Sequence, residues 1–146
     1  MIKKIKKIFY YFKFNFLRKI RIFFNINQKI SIDGNELILP PGHLLEYYNV
    51  HYPQYDRFIS EIVRDIDKEK SVIDIGANVG DTLLRLYNSN SQLNYYSIEA
   101  DSYFFKYLKI NRDKMTSGCN SKITLINTLV GENLVGNLSE TTTGTK

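Results

Sequence analysis

The chain has 146 residues, 43% hydrophobic and 24% charged, with three prolines and eight glycines, which excludes wholesale disorder and collagen-like or low-complexity classes. A single cysteine, Cys119, excludes an internal disulfide or multi-cysteine metal site, two histidines, His43 and His51, argue against a zinc cluster, and no apolar run reaches the roughly 18 residues of a membrane span. The net charge of +5 divides into +9 over residues 1–32, which hold nine Lys/Arg and no acid, and −4 over residues 33–146, so the basic arm rather than the body is expected to meet a polyanion.

Residues 2–24 read as an amphipathic helix. Ile2, Ile5, Phe9, Phe12, Phe16, Ile20 and Phe23 recur at three- and four-residue steps and fall within a stripe about 80° wide at 100° per residue. Lys3, Lys4, Lys7, Arg18 and Arg21 lie opposite, and Lys6, Lys13 and Lys19 flank the stripe; Tyr10, Tyr11 and Phe14 interrupt the polar side. This pattern predicts a helix lying in the interface of an anionic membrane, attached through residues 1–24 on the cytoplasmic side. Docking of the stripe on the protein's own core, or on a partner helix, is the alternative. Nucleic acid is set aside as a partner, because the aromatics follow a helical period rather than offering stacking platforms. Secretion is rejected, since Lys13 and Asn15 break the apolar region and no small-residue cleavage site follows.

Residues 29–39 alternate around Asp33-Gly34-Asn35, with Ile30 and Ile32 before it and Leu37 and Leu39 after it, predicting a β-hairpin. Pro40-Pro41-Gly42 ends it. Residues 43–54 read as aromatic and irregular, and His43, Glu46 and His51 find no chemical partner in sequence, which favours a surface role. Residues 55–68 carry Phe58, Ile59, Ile62, Val63 and Ile66 at helical spacing.

From residue 71 the pattern predicts strand (71–75), glycine-bearing turn (76–80), helix capped by Asp81, strand (95–99), helix capped by Ser102, and strand (122–130). Strands alternating with helices at this spacing form a parallel sheet. Gly76 and Gly80 allow close backbone approach to a ligand, and Glu99, 23 residues beyond Gly76, falls at the adjacent strand end, where a carboxylate can accept hydrogen bonds from ribose hydroxyls. A dinucleotide site needs glycines where this chain has Asn78 and Asp81, and a carboxylate at the phosphate seat repels pyrophosphate. S-adenosylmethionine, which has no phosphate and carries a sulfonium and an amino group, suits Asp74, Asp81 and Glu99 at the sheet's carboxyl edge.

The run Val72-Ile73-Asp74-Ile75-Gly76-Ala77-Asn78-Val79-Gly80-Asp81 resembles the first motif of the FkbM-type methyltransferases. The resemblance continues through Ser97-Ile98-Glu99-Ala100-Asp101, the helix with Leu108 and Asn111, and Leu125-Ile126-Asn127, covering residues 53–139 with Tyr52-Pro53-Gln54-Tyr55-Asp56-Arg57-Phe58 upstream. It implies S-adenosylmethionine as cofactor and O-methylation of a sugar, polysaccharide or related small-molecule or glycan acceptor. By position, Asp74 would approach the methionine amino group, Gly76, Asn78 and Gly80 would shape the loop, and Glu99 would hold the ribose. Asn127 or Thr128 would lie near the adenine edge, and Tyr55 is read as a core residue. No catalytic residue is assigned. The implied fold is α/β, a Rossmann-like class I methyltransferase fold with only its first three parallel strands present, preceded by the basic helix and the hairpin. The corresponding divisions are residues 1–28, 29–70 and 71–146. The resemblance implies a fourth strand beside the first; the chain is therefore expected to be a truncated N-terminal half, inactive alone, with its first strand left as a sheet edge and 139–146 a ragged end. Isoleucine, lysine and asparagine account for 46 residues and alanine for two, the usage of an AT-rich, bacterial coding sequence.

Overall fold

A computed structural model describes residues 2–52, 54, 57–116 and 122–131. The expectations placed on Tyr55, Cys119 and residues 132–146 lie outside these. Helix α1 spans Ile2–Phe23, free of glycine and proline. Asn25, at φ 52°, closes it: the Asn25 N–H donates to the Ile22 carbonyl (3.2 Å) and the Ile26 N–H to that of Arg21 (2.9 Å), a Schellman ending.

Strands β1 (Gln28–Ile32) and β2 (Asn35–Leu39) pair antiparallel, with Ile30 opposite Leu37 and Ile32 opposite Asn35. The two-residue turn uses Asp33 (φ 48°) and Gly34 (φ 84°), both left-handed, as the right-handed twist of a hairpin demands. The hairpin's apolar face does not stand apart from the rest of the chain. Ile32, Leu37 and Leu39 share one core cluster with Leu45, Val79, Leu84, Phe104 and Tyr107.

Residues expected to be irregular contain helix α2, Leu45–His51. No side chain caps it at Leu44, and its rings are poor helix formers. Packing supplies what local preference lacks: Tyr47 meets Phe14 of α1 at 5.4 Å and stacks on His51 at 4.0 Å. Helix α3 is shorter than the apolar spacing predicts, Arg57–Arg64. The Asn90 side-chain amide donates to the Val63 and Ile66 carbonyls (both 3.1 Å) where α3 ends. Val63 is buried, whereas Phe58 and Ile62 are exposed.

Then follow β3 (Ser71–Ile75), α4 (Asp81–Ser89), β4 (Asn94–Ile98), α5 (Ser102–Met115) and β5 (Ile123–Ile126). The three strands form a parallel sheet in the order β3-β4-β5, with Ile75 opposite Ile98 and Ile98 opposite Ile126. The fold is thus α/β with a three-stranded parallel sheet among the described residues, compatible with part of a Rossmann-like fold. Two caps differ from expectation by one residue. Gly80, at φ 90°, is the N-cap of α4 and Asp81 its first helical residue, because only a left-handed residue turns the loop into the helix here. Asp101 caps α5, its side chain accepting the Tyr103 N–H (2.8 Å), with Ser102 inside the helix. β5 stops at Ile126, four residues short of the predicted end; Leu129 and Val130 are exposed and have no ladder partner among the described strands.

One face of the sheet is covered: Tyr95 and Ile123 pack with Val63, Leu83, Leu86, Leu93 and Leu108. On the other face Ile73 is 65% and Ile75 63% exposed, with Tyr96 beside them at 39%. β3 pairs with β4 alone among the described strands. No helix among the described residues is long and apolar enough to cross a membrane.

Candidate functional site

Parallel strands bring all their carboxyl ends to one edge, so the segments after β3, β4 and β5 meet there. The loop 76–80 leaves β3 in an unusual backbone: Gly76 (φ 80°), Asn78 (φ 50°) and Gly80 (φ 90°) are all left-handed. Its amides are anchored from β4. The Gly76 and Ala77 N–H groups both donate to the Ile98 carbonyl (2.9 Å each), and the Asn78 N–H donates to Glu99 Oε2 (2.8 Å). Glu99 Oε1 accepts the Asp101 N–H (2.8 Å). The main chain of Glu99 is also fixed, its N–H donating to the Ile126 carbonyl (3.0 Å) and its carbonyl accepting Asn127 Nδ2 (2.8 Å). Glu99 is therefore the hub of the edge: buried, with one backbone donor on each carboxylate oxygen and lone pairs left for a ligand.

The two glycines differ. A Cβ on Gly76 would meet no atom within 4 Å, so this position opens onto free space. A Cβ on Gly80 would lie 2.9 Å from Leu108 Cδ1, so this glycine serves the packing of the loop on α5. Of the predicted site residues, Gly76, Asn78 and Glu99 come together at the open edge. Asp74 sits half-buried in β3, in register with Ser97, two residues before the loop, and Asp81 half-buried in the first turn of α4.

Sequence reasoning missed two side chains. His43, read as a surface residue, is buried against Phe104 (5.9 Å, edge-on). Its Nδ1 accepts the Leu45 N–H (3.2 Å), which leaves the proton on Nε2 to donate to Asn78 Oδ1 (3.1 Å). Burial, opposed in part by the Asn78 hydrogen bond, lowers its pKa to about 4, so the ring is neutral and positions Asn78. Asn111, noted only within the resemblance, is buried in α5. It accepts the Ile38 N–H and donates to the Ile38 and Val79 carbonyls, all at 2.8 Å, tying the hairpin to the loop. Neither role has a local signal, because Asn78 lies 35 residues from His43, and Val79 and Ile38 lie 32 and 73 residues from Asn111. Glu46 and His51 also have partners: Glu46 pairs with Arg21 (3.1 Å) and accepts Gln28, and the His51 ring stacks on Tyr47.

Chemically the edge presents carboxylates rather than free amide donors. Three of the loop's N–H groups are already taken by Ile98 and Glu99, and Asp81 puts negative charge at the N-terminus of α4. Such an edge disfavours phosphate and favours hydroxyl donors and cations. Among the described residues no cluster of three or more His, Cys, Asp or Glu could hold a metal. No family model, curated protein or solved structure matches the chain.

Proposed function

We propose that the chain binds S-adenosylmethionine as the cofactor-binding portion of an FkbM-type methyltransferase, acting on a hydroxyl of a sugar, polysaccharide or related metabolite. The observation that carries this reading is Glu99: a buried carboxylate, held rigid by two backbone donors beside a loop whose amides are occupied. That geometry suits vicinal ribose hydroxyls and is wrong for pyrophosphate. The open space at Gly76 fits a ligand lying against the backbone. In this reading Glu99 holds the ribose, Gly76, Asn78 and Gly80 shape the loop, and Asp74 and Asp81 favour the amino and sulfonium charges. When bound, the cofactor supplies an electrophilic methyl group. His43 holds Asn78 in place and, with both ring nitrogens engaged, is not available as a base. Asn127 fixes the neighbouring strand end.

A second reading is a non-catalytic membrane-surface or partner-binding protein, favoured by the exposed aromatics of α1. Both readings go with a location on the cytoplasmic face of a membrane. Titration calorimetry separates them. S-adenosylmethionine should give binding heat and NAD should not. Gly76→Ala, whose methyl enters the free space, should weaken binding while circular dichroism stays unchanged. No heat with S-adenosylmethionine, or equal heat with NAD, refutes the methyltransferase reading.

A further inference from the structure

Helix α1 has two apolar faces, and the body uses the one that the hydrophobic periodicity does not mark. Phe14 is buried against Tyr47, and Tyr10 meets His51 at 5.4 Å. Arg18 Nε donates to the Gly42 carbonyl (2.8 Å), and Arg21 pairs with Glu46. The side chain of Ile22 occupies the space that a Cβ on Gly42 would need. These contacts fix the rotation of α1 about its own axis. The opposite side faces solvent, with Phe9 71%, Phe12 67%, Phe16 65% and Phe23 82% exposed.

We propose that this outward face is a lipid-docking surface, on which Phe9, Phe12, Phe16 and Phe23 enter the acyl boundary of an anionic bilayer. This rests on the peripheral location given above and adds the face, the residues and the lipid chemistry. A helix that only docked on its own body would carry polar residues on its far side; four exposed phenylalanines there mark a contact surface. Charge selects the partner. Lys13 and Lys19 are exposed and lie on either side of the row at helical spacing, placed to reach headgroup phosphates while the rings insert. Residues 1–32 contain no acid to oppose them, and Glu46, the body's acid at α1, is engaged by Arg21 on the inner face. The helix is about 33 Å long at 1.5 Å per residue and lies flat along the surface.

The chain contains no tryptophan, so single reporters can be placed cleanly. Tyr11 lies off the outward row, half-exposed and edge-on to Tyr47 (6.2 Å). With the full chain and phosphatidylcholine vesicles containing phosphatidylglycerol, Phe12→Trp should blue-shift and be quenched by brominated acyl chains, and Tyr11→Trp should not. Vesicle binding should require the anionic lipid and weaken without vanishing at high salt. The triple variant Phe9→Ser, Phe12→Ser, Phe16→Ser should lose the salt-resistant part by more than about a hundredfold, with its circular dichroism unchanged because the rings are exposed. Lys13→Glu with Lys19→Glu should lose the salt-sensitive part. Full binding by the Ser variant overturns the docking face but leaves a charge-held peripheral location standing. No binding to phosphatidylcholine vesicles, with or without phosphatidylglycerol, overturns both. A lipid-free dimer that the Ser variant dissolves, or an oligonucleotide that displaces the vesicles, also overturns the proposal.

Discussion

His43 shows how burial turns a titratable ring into a structural part. The unfolded ring titrates near 6.5 and the folded one at about 4. Between those values the unfolded chain binds more protons, so His43's contribution is fully present above pH 6.5. It is lost as the pH falls towards 4, and it is level below that. The shift corresponds to about 3 kcal/mol. Urea midpoints measured from pH 7 to pH 4 should fall, and His43→Gln should flatten that fall; an equal slope in the variant removes His43 as its cause. The loop glycines allow a second test at this scale. Gly76→Ala should cost about 1 kcal/mol, the penalty of a left-handed alanine alone. Gly80→Ala adds a contact with the buried Leu108 and should cost about 2–3 kcal/mol. Equal melting temperatures for the two variants would contradict the assignment of Gly80 to packing and Gly76 to open space. Glu99 and the glycines were legible because spacing along a βαβ unit fixes which residues reach a strand end. His43 was not, since only tertiary structure brings the segment after the hairpin under Asn78.

Elements differed in legibility for the same reason. The hairpin and the β3–β5 series were readable from alternation, turn residues and glycine placement, all local. Helix α2 was not, because Tyr47 owes its conformation to Phe14, 33 residues earlier. β5 was read too long because Leu129 and Val130 look like strand residues, yet no ladder partner among the described strands holds them. On α1 the periodicity located the wide stripe correctly, but the body docks on the Tyr10–Phe14 side that had looked like an imperfection. Asn111 joins three elements with one amide. Asn111→Leu, similar in size, leaves the Ile38 N–H and the Ile38 and Val79 carbonyls without their partner. It should destabilise by about 2–4 kcal/mol in chemical denaturation. A loss below about 1 kcal/mol would mean that water replaces the amide.

For the whole molecule, the exposed face at Ile73, Ile75 and Tyr96 and the edge of β3 left unpaired among the described strands predict self-association. Ile73→Thr with Ile75→Thr should lower binding of a hydrophobic dye and raise the concentration at which light scattering appears. Its effect on the melting temperature should be small, because neither side chain is packed. Unchanged scattering would place the sticky surface elsewhere, on α1 or at Phe58 and Ile62. The docking of α1 has a different consequence for motion. Phe14, Arg18 and Arg21 seat the helix on the body, so it does not hang from it on a tether, and the positive arm and the described part of the acidic body form one fixed electric dipole. Near an anionic surface such a dipole is turned before contact, helix first. On the proposed lipid docking the chain would arrive already oriented, the frequency of productive encounters would fall with ionic strength, and the rings would govern the time spent at the surface.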